Sequence, residues 1–509
     1  MSTPIRIGFL GAGLIATYHS KSLRRSGAEQ RHDVVRAGVF DPDAERAAAF
    51  ARASGHTVMA SEDGVLDSCD AVYVCTWTSE HARQVAKAVE RGLAVFCEKP
   101  LAVDLATARE MTELVTASGV VNQVGLVLRR SPAYRWARHL IDDPAAGRIM
   151  SVVFRDDQFI PIQGHYASTW RARRELVGSG TLLEHSIHDI DMLRYLVGDV
   201  ERVSANTANF HGHDGIEDVA SASFAFAGGA IGTLTSVWHD NLARPSLRRV
   251  EMFCERRFVV IEGDDWYGPV HWTDHDGTGG SLTGVELAGA AASLHDGTRH
   301  ADGDTDGNPD GAFVDALAAG TPAWPDFGVA LRSHEIVDAM YRSAAAGGRL
   351  IRMAPTAGVT GGLRVVELAA EETHPVRLAV LRANTPTKEV AFAEDTIAGT
   401  VHLGVRDGDT LVATSSWVPR PWSGSPEEPA IQLRGMATVD SHRSHGVGAM
   451  LLRAGLERAR DAGAALVWAN ARDAALAFYL RHGFEVRSDG FIDATTQLPH
   501  HQVVHRLHG

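Results

Sequence analysis

The chain has 509 residues, 45% of them hydrophobic and 22% charged, and a formal net charge of −14. It is too long for one core, so two or three ordinary globular domains are expected. The acidic balance argues against non-specific binding to nucleic acid or anionic membrane, and no run of about eighteen apolar residues predicts a membrane span.

The N-terminal stretch lacks the basic and apolar regions of a signal peptide, and a cytoplasmic location follows by default. Cys69, Cys75, Cys97 and Cys254 form no C-x-x-C pair and are expected as buried free thiols.

Residues 5–10 form a short apolar strand that turns through Gly11-Ala12-Gly13 into a helix beginning Leu14-Ile15-Ala16. Gly11 allows the tight turn, Gly13 admits a pyrophosphate to the helix start, and Ala16 lets helix and strand pack closely. The second strand, Val34 to Phe40, ends at Asp41. A carboxylate there can accept both ribose hydroxyls of an adenosine and repel a 2′-phosphate, which favours NAD over NADP. Asp41 also suits a helix cap ahead of Pro42. Further strands are expected at Ala71 to Thr76 and Val95 to Cys97, with a helix from His81 to Glu90 between them. The β-α alternation predicts a doubly wound parallel sheet. The run V-F-C-E-K-P-L, Val95 to Leu101, places Glu98 and Lys99 at the carboxyl edge of that sheet, where ligands bind.

G-F-L-G-A-G-L-I-A, F-D-P, T-W-T-S-E-H and F-C-E-K-P-L-A, in that order, resemble the glucose–fructose oxidoreductase, inositol dehydrogenase and MocA family. The resemblance implies that Lys99 lies beside a nicotinamide and the substrate hydroxyl. It implies cofactor contacts from Gly11, Gly13, Leu14, Ile15, Asp41, Thr76, Trp77, His81 and Glu98.

Farther on, a glycine-rich turn at Gly178-Ser179-Gly180 leads to Glu184 and His188, then to a helix ending at Gly198. Residues four apart share a helix face, so Glu184 is expected to orient His188. The alternative is a helix start decorated with acids, because Asp189 and Asp191 suit the dipole. The resemblance implies that His188 takes the substrate proton. Glu184 stands where the family has an aspartate. The remainder of this region is expected to be an open antiparallel sheet, with strands that include 150–155, 219–226, 230–238 and 249–261. Residues 273–311 are expected to be an exposed, mobile loop, within which Asp302 to Gly307 imitates the start of a calcium loop. No metal site is expected, since the scattered histidines lack a convergent set. Helices at 312–318 and 328–346 are expected to complete the first domain.

Residues 354–362 read as a linker. Beyond it, strands are expected at 401–405, 410–416, 431–439 and 465–470, and helices at 378–383 and 474–480. Arg443 to Gly448 offers amides and an arginine at the start of another helix, a pyrophosphate cradle. R-x-x-G-x-G followed by A-x-x-F-Y-x-x-x-G-F resembles the GNAT acyltransferases. That resemblance implies acetyl-CoA as co-substrate, held by Met436, Ala437, Val439, Arg443, Gly446, Val447, Gly448 and Asn470. It also implies that Tyr479 protonates the departing thiolate.

The fold class is therefore α/β plus α+β. A dinucleotide domain (1–124) is completed by helices within 312–350. An open-sheet substrate domain (125–353), a linker (354–362) and a GNAT domain (363–509) follow. The expected function is oxidation of a secondary alcohol of a sugar, polyol or cyclitol with NAD(P), joined to N-acetylation of an amine. The alternative is an acetyltransferase carrying a non-catalytic dinucleotide sensor or scaffold. Small-molecule partners and a homo-oligomer are expected, without nucleic acid or membrane.

Overall fold

The computed structural model describes all residues except 1–3, 165, 244, 265, 295–307, 355–362, 384, 408–409, 440–441, 443–446 and 508–509. The calcium-like stretch at 302–307 and the linker core therefore lie outside the described residues. By contacts the chain divides into two compact units, the first essentially residues 1–353 and the second essentially 354–509.

The first unit opens with β1 (Ile5–Leu10), α1 (Leu14–Arg25), β2 (Val34–Phe40), α2 (Ala44–Ser54), β3 (Thr57–Val58), β4 (Ala71–Val74), α3 (His81–Glu90), β5 (Ala94–Cys97), α4 (Leu105–Ser118) and β6 (Asn122–Val124). The six strands pair in parallel in the order β3-β2-β1-β4-β5-β6. Period-two alternation divides their side chains between two buried faces. Val72, Val74, Val95 and Cys97 point to one core. Phe9, Tyr73 and Phe96 point to the other, stacked with centroids 4.7 and 4.6 Å apart. The order reverses between β1 and β4, and a crevice at the carboxyl ends of the strands follows from that reversal.

A second sheet is built from β7 (Ile149–Phe159), β8 (Val200–Ala208), β9 (Val219–Phe226), β10 (Ile231–His239), β11 (Leu247–Cys254), β12 (Arg257–Asp264), β13 (Gly268–Asp274) and β14 (Gly279–Leu282), with β15 (Ile351–Arg352) on its edge. Its order is β14-β13-β12-β11-β7-β10-β9-β8-β15. All pairs are antiparallel except β7 with β10. The segment 249–261, expected as a strand, is a hairpin: Phe253 pairs with Phe258 across the charged turn Glu255-Arg256. The expected loop at 273–311 is corrected too. Its described part holds β14, helix 284–292 and the start of helix 309–319. Two of the glycines that suggest a loop are packed instead: a Cβ on Gly279 would lie 2.3 Å from Trp272 O, and one on Gly280 2.5 Å from the Trp272 ring.

Between β7 and β8 lie, among other short turns, the helices α5 (Thr181–Glu184) and α6 (Ile187–Val197). After the sheet come α7 (Gly284–Ala292), α8 (Pro309–Ala319) and α9 (Phe327–Ala345). The last two return to the parallel sheet. Phe313 joins one of its cores and Phe327 the other.

The second unit carries β16 (Leu363–Leu368), a π-helical turn (Arg377–Leu381), β17 (Val401–Asp407), β18 (Thr410–Pro419), β19 (Ala430–Thr438), α10 (Val447–Asp461), β20 (Leu466–Arg472), α11 (Asp473–Arg481), β21 (Glu485–Val486), β22 (Phe491–Ile492) and β23 (Pro499–Arg506). The sheet order is β16-β17-β18-β19-β20-β23-β21. The expected helix at 378–383 is that single π turn. Helix α10 covers the sheet with Val447, Leu451, Leu452 and Leu456, an i, i+4, i+5, i+9 stripe.

Among the described residues no helix is long and apolar enough to cross a membrane. The four cysteines are buried thiols outside any disulfide among the described residues.

One polar group inside the first core stands out. His19, on α1, is fully buried. Its Nδ1 lies 2.7 Å from Asp310 of α8 and its Nε2 2.8 Å from Glu98 beyond β5. Burial opposes a charge on this ring, but Asp310 and Glu98 outweigh it and raise the pKa to about 10. The stabilisation is complete below the ordinary value of 6.5 and is lost as pH rises through about 10. Chemical denaturation of the native chain should therefore lose a few kcal/mol between those limits. His19→Gln should be less stable at pH 7 and nearly flat across the same window. An unchanged slope in the variant would refute the assignment.

Candidate active site

The glycine turn after β1 fits a dinucleotide. Gly11 takes φ +87°, and a Cβ there would lie 2.5 Å from Cys75 O. Gly13 caps α1 with no side-chain hydrogen bond, and a Cβ on it would meet nothing within 4 Å. A helix start without a side-chain cap thus borders open space, the environment a pyrophosphate needs. Leu14 and Ile15 are exposed beside it, while Ala16 is buried. Asp41 is buried at the end of β2, where it accepts from Ala12 N and Asp43 N at 2.9 Å each. It braces the turn, and the helix cap itself is Asp43. Thr76 and Trp77 follow β4, with Trp77 exposed and Thr76 donating to Gln84.

Two residues expected at the cofactor have other engagements. His81 is buried, and its Nδ1 lies 2.9 Å from Pro100 O. Glu98 is buried, accepts from His19, and also accepts from Lys99 N at 3.1 Å. A Cβ on Gly125 would lie 2.2 Å from the Glu98 carboxylate, so only glycine leaves it room. His334 of α9 accepts from Leu101 N at 2.9 Å. Burial lowers its pKa to about 4, so it is neutral and can accept.

Lys99 reaches across to α5 and donates from Nζ to Glu184 O at 2.8 Å. Burial lowers its pKa, while Glu98 and Glu184 oppose that shift. The Glu184 carboxylate accepts from Thr78 Oγ1 at 2.7 Å and from Arg171 Nε at 3.3 Å. The expected orientation of His188 by Glu184 is therefore corrected. The helix breaks at His185-Ser186, so the two do not share a face, and the His188 Nδ1 has no hydrogen-bond partner among the described residues. Burial, then the charges of Lys99 and Arg248, push the His188 pKa well below 6.5. Its imidazole is neutral at physiological pH.

Behind it lies a network that the sequence reading missed. Arg248 of β11 donates from Nε to Asp156 of β7 and to Asp189 of α6, at 2.9 Å each. His185 Nε2 lies 2.7 Å from Asp156. Burial, then Asp156, raise the Asp189 pKa to about 7. Asp189 and Asp191 are consequently not surface acids at a helix start. Asp191 is fully buried and holds Arg129 bidentately at 2.7 Å per bond. The signal available beforehand was the acidic pair Asp156-Asp157 inside a strand. Among the described residues no group of three or more His, Cys, Asp or Glu could hold a metal ion.

In the second unit, β19 and β20 pair in parallel only from Ala430↔Leu466 to Gln432↔Trp468. Beyond that point the ladder ends, which leaves a cleft edged by β19 backbone. Met436 and Ala437 lie on this diverging stretch. Tyr479 Oη lies 3.8 Å from Met436 Sδ. Burial raises the Tyr479 pKa, so its phenol stays protonated. Val439 N already donates to Val412 O at 2.9 Å. Val447 and Gly448 open α10, with Gly448 against the Phe478 ring. Asn470 is exposed on β20. Arg443 and Gly446 lie outside the described residues. An open strand edge that leads to a helix start fits an acyl-CoA chain.

Comparison with known proteins bears on both units. Residues 5–126 match a family described as oxidoreductase family, NAD-binding Rossmann fold. Residues 134–260 match the GFO/IDH/MocA C-terminal domain, and residues 367–484 match the acetyltransferase (GNAT) family. A 1,5-anhydro-D-fructose reductase of Ensifer adhaerens is 34% identical over 234 residues, 44% of this chain and 67% of the relative. Inositol 2-dehydrogenase 3 of Saccharopolyspora erythraea is 35% identical over 40% of this chain and 56% of its own length. For scyllo-inositol 2-dehydrogenase (NAD(+)) of Bacillus subtilis the identity is 35%, over 39% and 55%. A solved structure of levoglucosan dehydrogenase with NADH and L-sorbose shares the fold at a TM-score of 0.60 and 22% identity, covering 70% of this chain and all of that one. The chain belongs to the Gfo/Idh/MocA oxidoreductase family and carries a GNAT acetyltransferase domain at its C-terminal end.

Proposed function

We propose that the first unit oxidises a secondary alcohol of a sugar, polyol or cyclitol, and that the second acetylates an amine from acetyl-CoA. The observation that carries the first half is the nearness of Lys99, which donates to Glu184 O, to His188, where the Lys99 charge helps keep His188 neutral. NAD, when bound, supplies the hydride acceptor. Gly11, Gly13, Leu14, Ile15 and Asp41 would hold it, with Thr76 and Trp77 beyond β4. Lys99, fixed on Glu184 O, would donate a hydrogen bond to the substrate hydroxyl and stabilise the developing alkoxide. His188 would take the proton. Glu184 would brace the site through Thr78 and Arg171 rather than steer His188. The inositol and sugar specificities of the relatives support the substrate class.

In the second unit Met436, Ala437 and Val439 would line the pantetheine arm. Arg443, Gly446, Val447 and Gly448 would bind the pyrophosphate, with Asn470 beside the carrier. Tyr479 would return a proton to the thiolate. The open face of the second sheet, with Met150, Val153, Ile231 and Phe253 exposed, supports self-association there.

Lys99→Ala should lower kcat/KM for alcohol oxidation by about a hundred- to ten-thousand-fold and leave acetyl transfer from acetyl-CoA intact. Loss of both activities, or of neither, would contradict the assignment. His188 must be neutral to accept a proton, and its pKa lies well below 6.5. The rate of oxidation should therefore hold level from about pH 8 to about pH 6 and fall only in more acid solution. A limb at the ordinary imidazole value would contradict a depressed pKa for His188 in the acceptor role. Asp41→Ser should improve the use of NADP relative to NAD by on the order of tenfold, read from the ratio of kcat/KM values. An unchanged ratio would remove Asp41 from cofactor selection.

A further inference from the structure

Strand β19 carries one extra residue at its centre. Thr414 pairs with Ala437 and Ser416 with Arg434, so the step of three on β19 opposes a step of two on β18. Gly435 takes φ +58° in this bulge. A Cβ on it would lie 3.0 Å from the Phe392 ring and 3.1 Å from Arg377 Nε. The Phe392 ring is crowded by cations: Arg377, Arg434 and Arg382 stand 4.1, 5.0 and 5.6 Å from its centroid. Arg472, the last residue of β20, joins them by donating to Leu381 O at 2.6 Å.

These guanidinium groups are not equally compensated. Arg377 is fully buried and bound by both oxygens of Asp395, at 2.6 and 2.9 Å, with Ser416 as a further acceptor. Arg434 pairs with Glu394. Arg382 is 7% exposed, and its side chain donates to a backbone carbonyl, Glu389 O, at 2.6 Å. Arg472 likewise has a carbonyl and no carboxylate partner among the described residues. Asp493 attracts both, but its Oδ1 already accepts from Thr495 N, Thr496 N and Thr496 Oγ1. Burial lowers the pKa of each arginine, and for Arg472 the next cause is the charge on Arg382. Two neighbouring cations, Arg382 buried and Arg472 half-buried, with carbonyl partners and spare donors leave an electrostatic deficit that an anion would fill.

We infer that Arg382 and Arg472, beside the Phe392 ring at the β19 bulge, form a subsite for the anionic group of the amine acceptor. The acceptor would carry a carboxylate or phosphate in addition to its amine. This rests on the acetyltransferase reading of the second unit. Arg382 and Arg472 would offer forked donors to the planar or tetrahedral anion. The amine would then lie toward the bulge, where β19 and β20 part.

The test uses the full chain saturated with CoA. It is titrated calorimetrically with three probes of one size class: glucosamine, glucosaminuronic acid and glucosamine 6-phosphate. Binding of at least one acidic probe about tenfold or more tighter than glucosamine is expected, and the two acidic arms separate carboxylate from phosphate. Arg382→Gln and Arg472→Gln should each abolish that preference without changing the Kd for acetyl-CoA. Equal binding of all three probes to the unaltered chain would overturn the inference, and that measurement stands even if a variant fails to fold. A fall in acetyl-CoA affinity in folded variants would assign the arginines to the carrier's phosphates and overturn it as well. Failure of the unaltered chain to bind acetyl-CoA would refute the acetyltransferase reading itself.

Discussion

Three histidines from three helices hold the loop that carries Lys99. His19 of α1 grips the Glu98 carboxylate, His81 of α3 lies against Pro100 O, and His334 of α9 accepts from Leu101 N. Their charge states differ because their partners differ. His19 faces two carboxylates and is held protonated. His334 must accept a hydrogen bond and is held neutral by burial. A protein hydrogen bond contributes only about 1 kcal/mol net. A buried ion that loses one partner costs several times more. The loop is therefore fixed mainly by the penalty for breaking the His19–Glu98–Asp310 cluster. Only with the loop fixed does Lys99 Nζ meet Glu184 O.

The same logic runs through the layer between the two sheets of the first unit. Arg129 meets Asp191, Thr78 meets Glu184, and Arg248 meets Asp156 and Asp189. Each pair joins elements far apart in the chain. Apolar packing alone would let a parallel sheet and a helix pair slide against each other by small steps. Buried hydrogen-bonded charges do not slide, because an intermediate position leaves a charge unpaired in low dielectric. The elements around His188 are thus held in place although its Nδ1 has no hydrogen-bond partner among the described residues.

The parallel sheet was readable because its strands are short apolar runs bounded by glycine, proline and acids, and local pattern suffices for those. The glycine turn was readable for the same reason, since Gly11 and Gly13 are demanded by local geometry. What escaped the sequence is non-local. Nothing near His19 announces Asp310, which lies 291 positions away. The i, i+4 spacing of Glu184 and His188 suggested a shared face, but the helix breaks between them and Thr78 takes the carboxylate. Asp189 and Asp191 read as acids suited to a helix dipole because the arginines that pair with them, Arg248 and Arg129, come from other elements. The stretch after 273 looked mobile from its glycines, whereas Gly280 is glycine because Trp272 lies over it. In the second unit the bulge at Gly435 and the cations around Phe392 depend on strand register, which composition does not encode.

Helices α8 and α9 come from beyond the second sheet, yet they supply Asp310 and His334 to the first. The open-sheet region is thus an insertion within the nucleotide-binding layer rather than a successor to it. Excision at residue 124 would sever the anchor of its own E-K-P loop. A recombination event that exchanged only the leading segment would bring in a loop without its clasp. The seam where modules can be traded without that loss lies after residue 353, and the GNAT-family domain is attached beyond that seam.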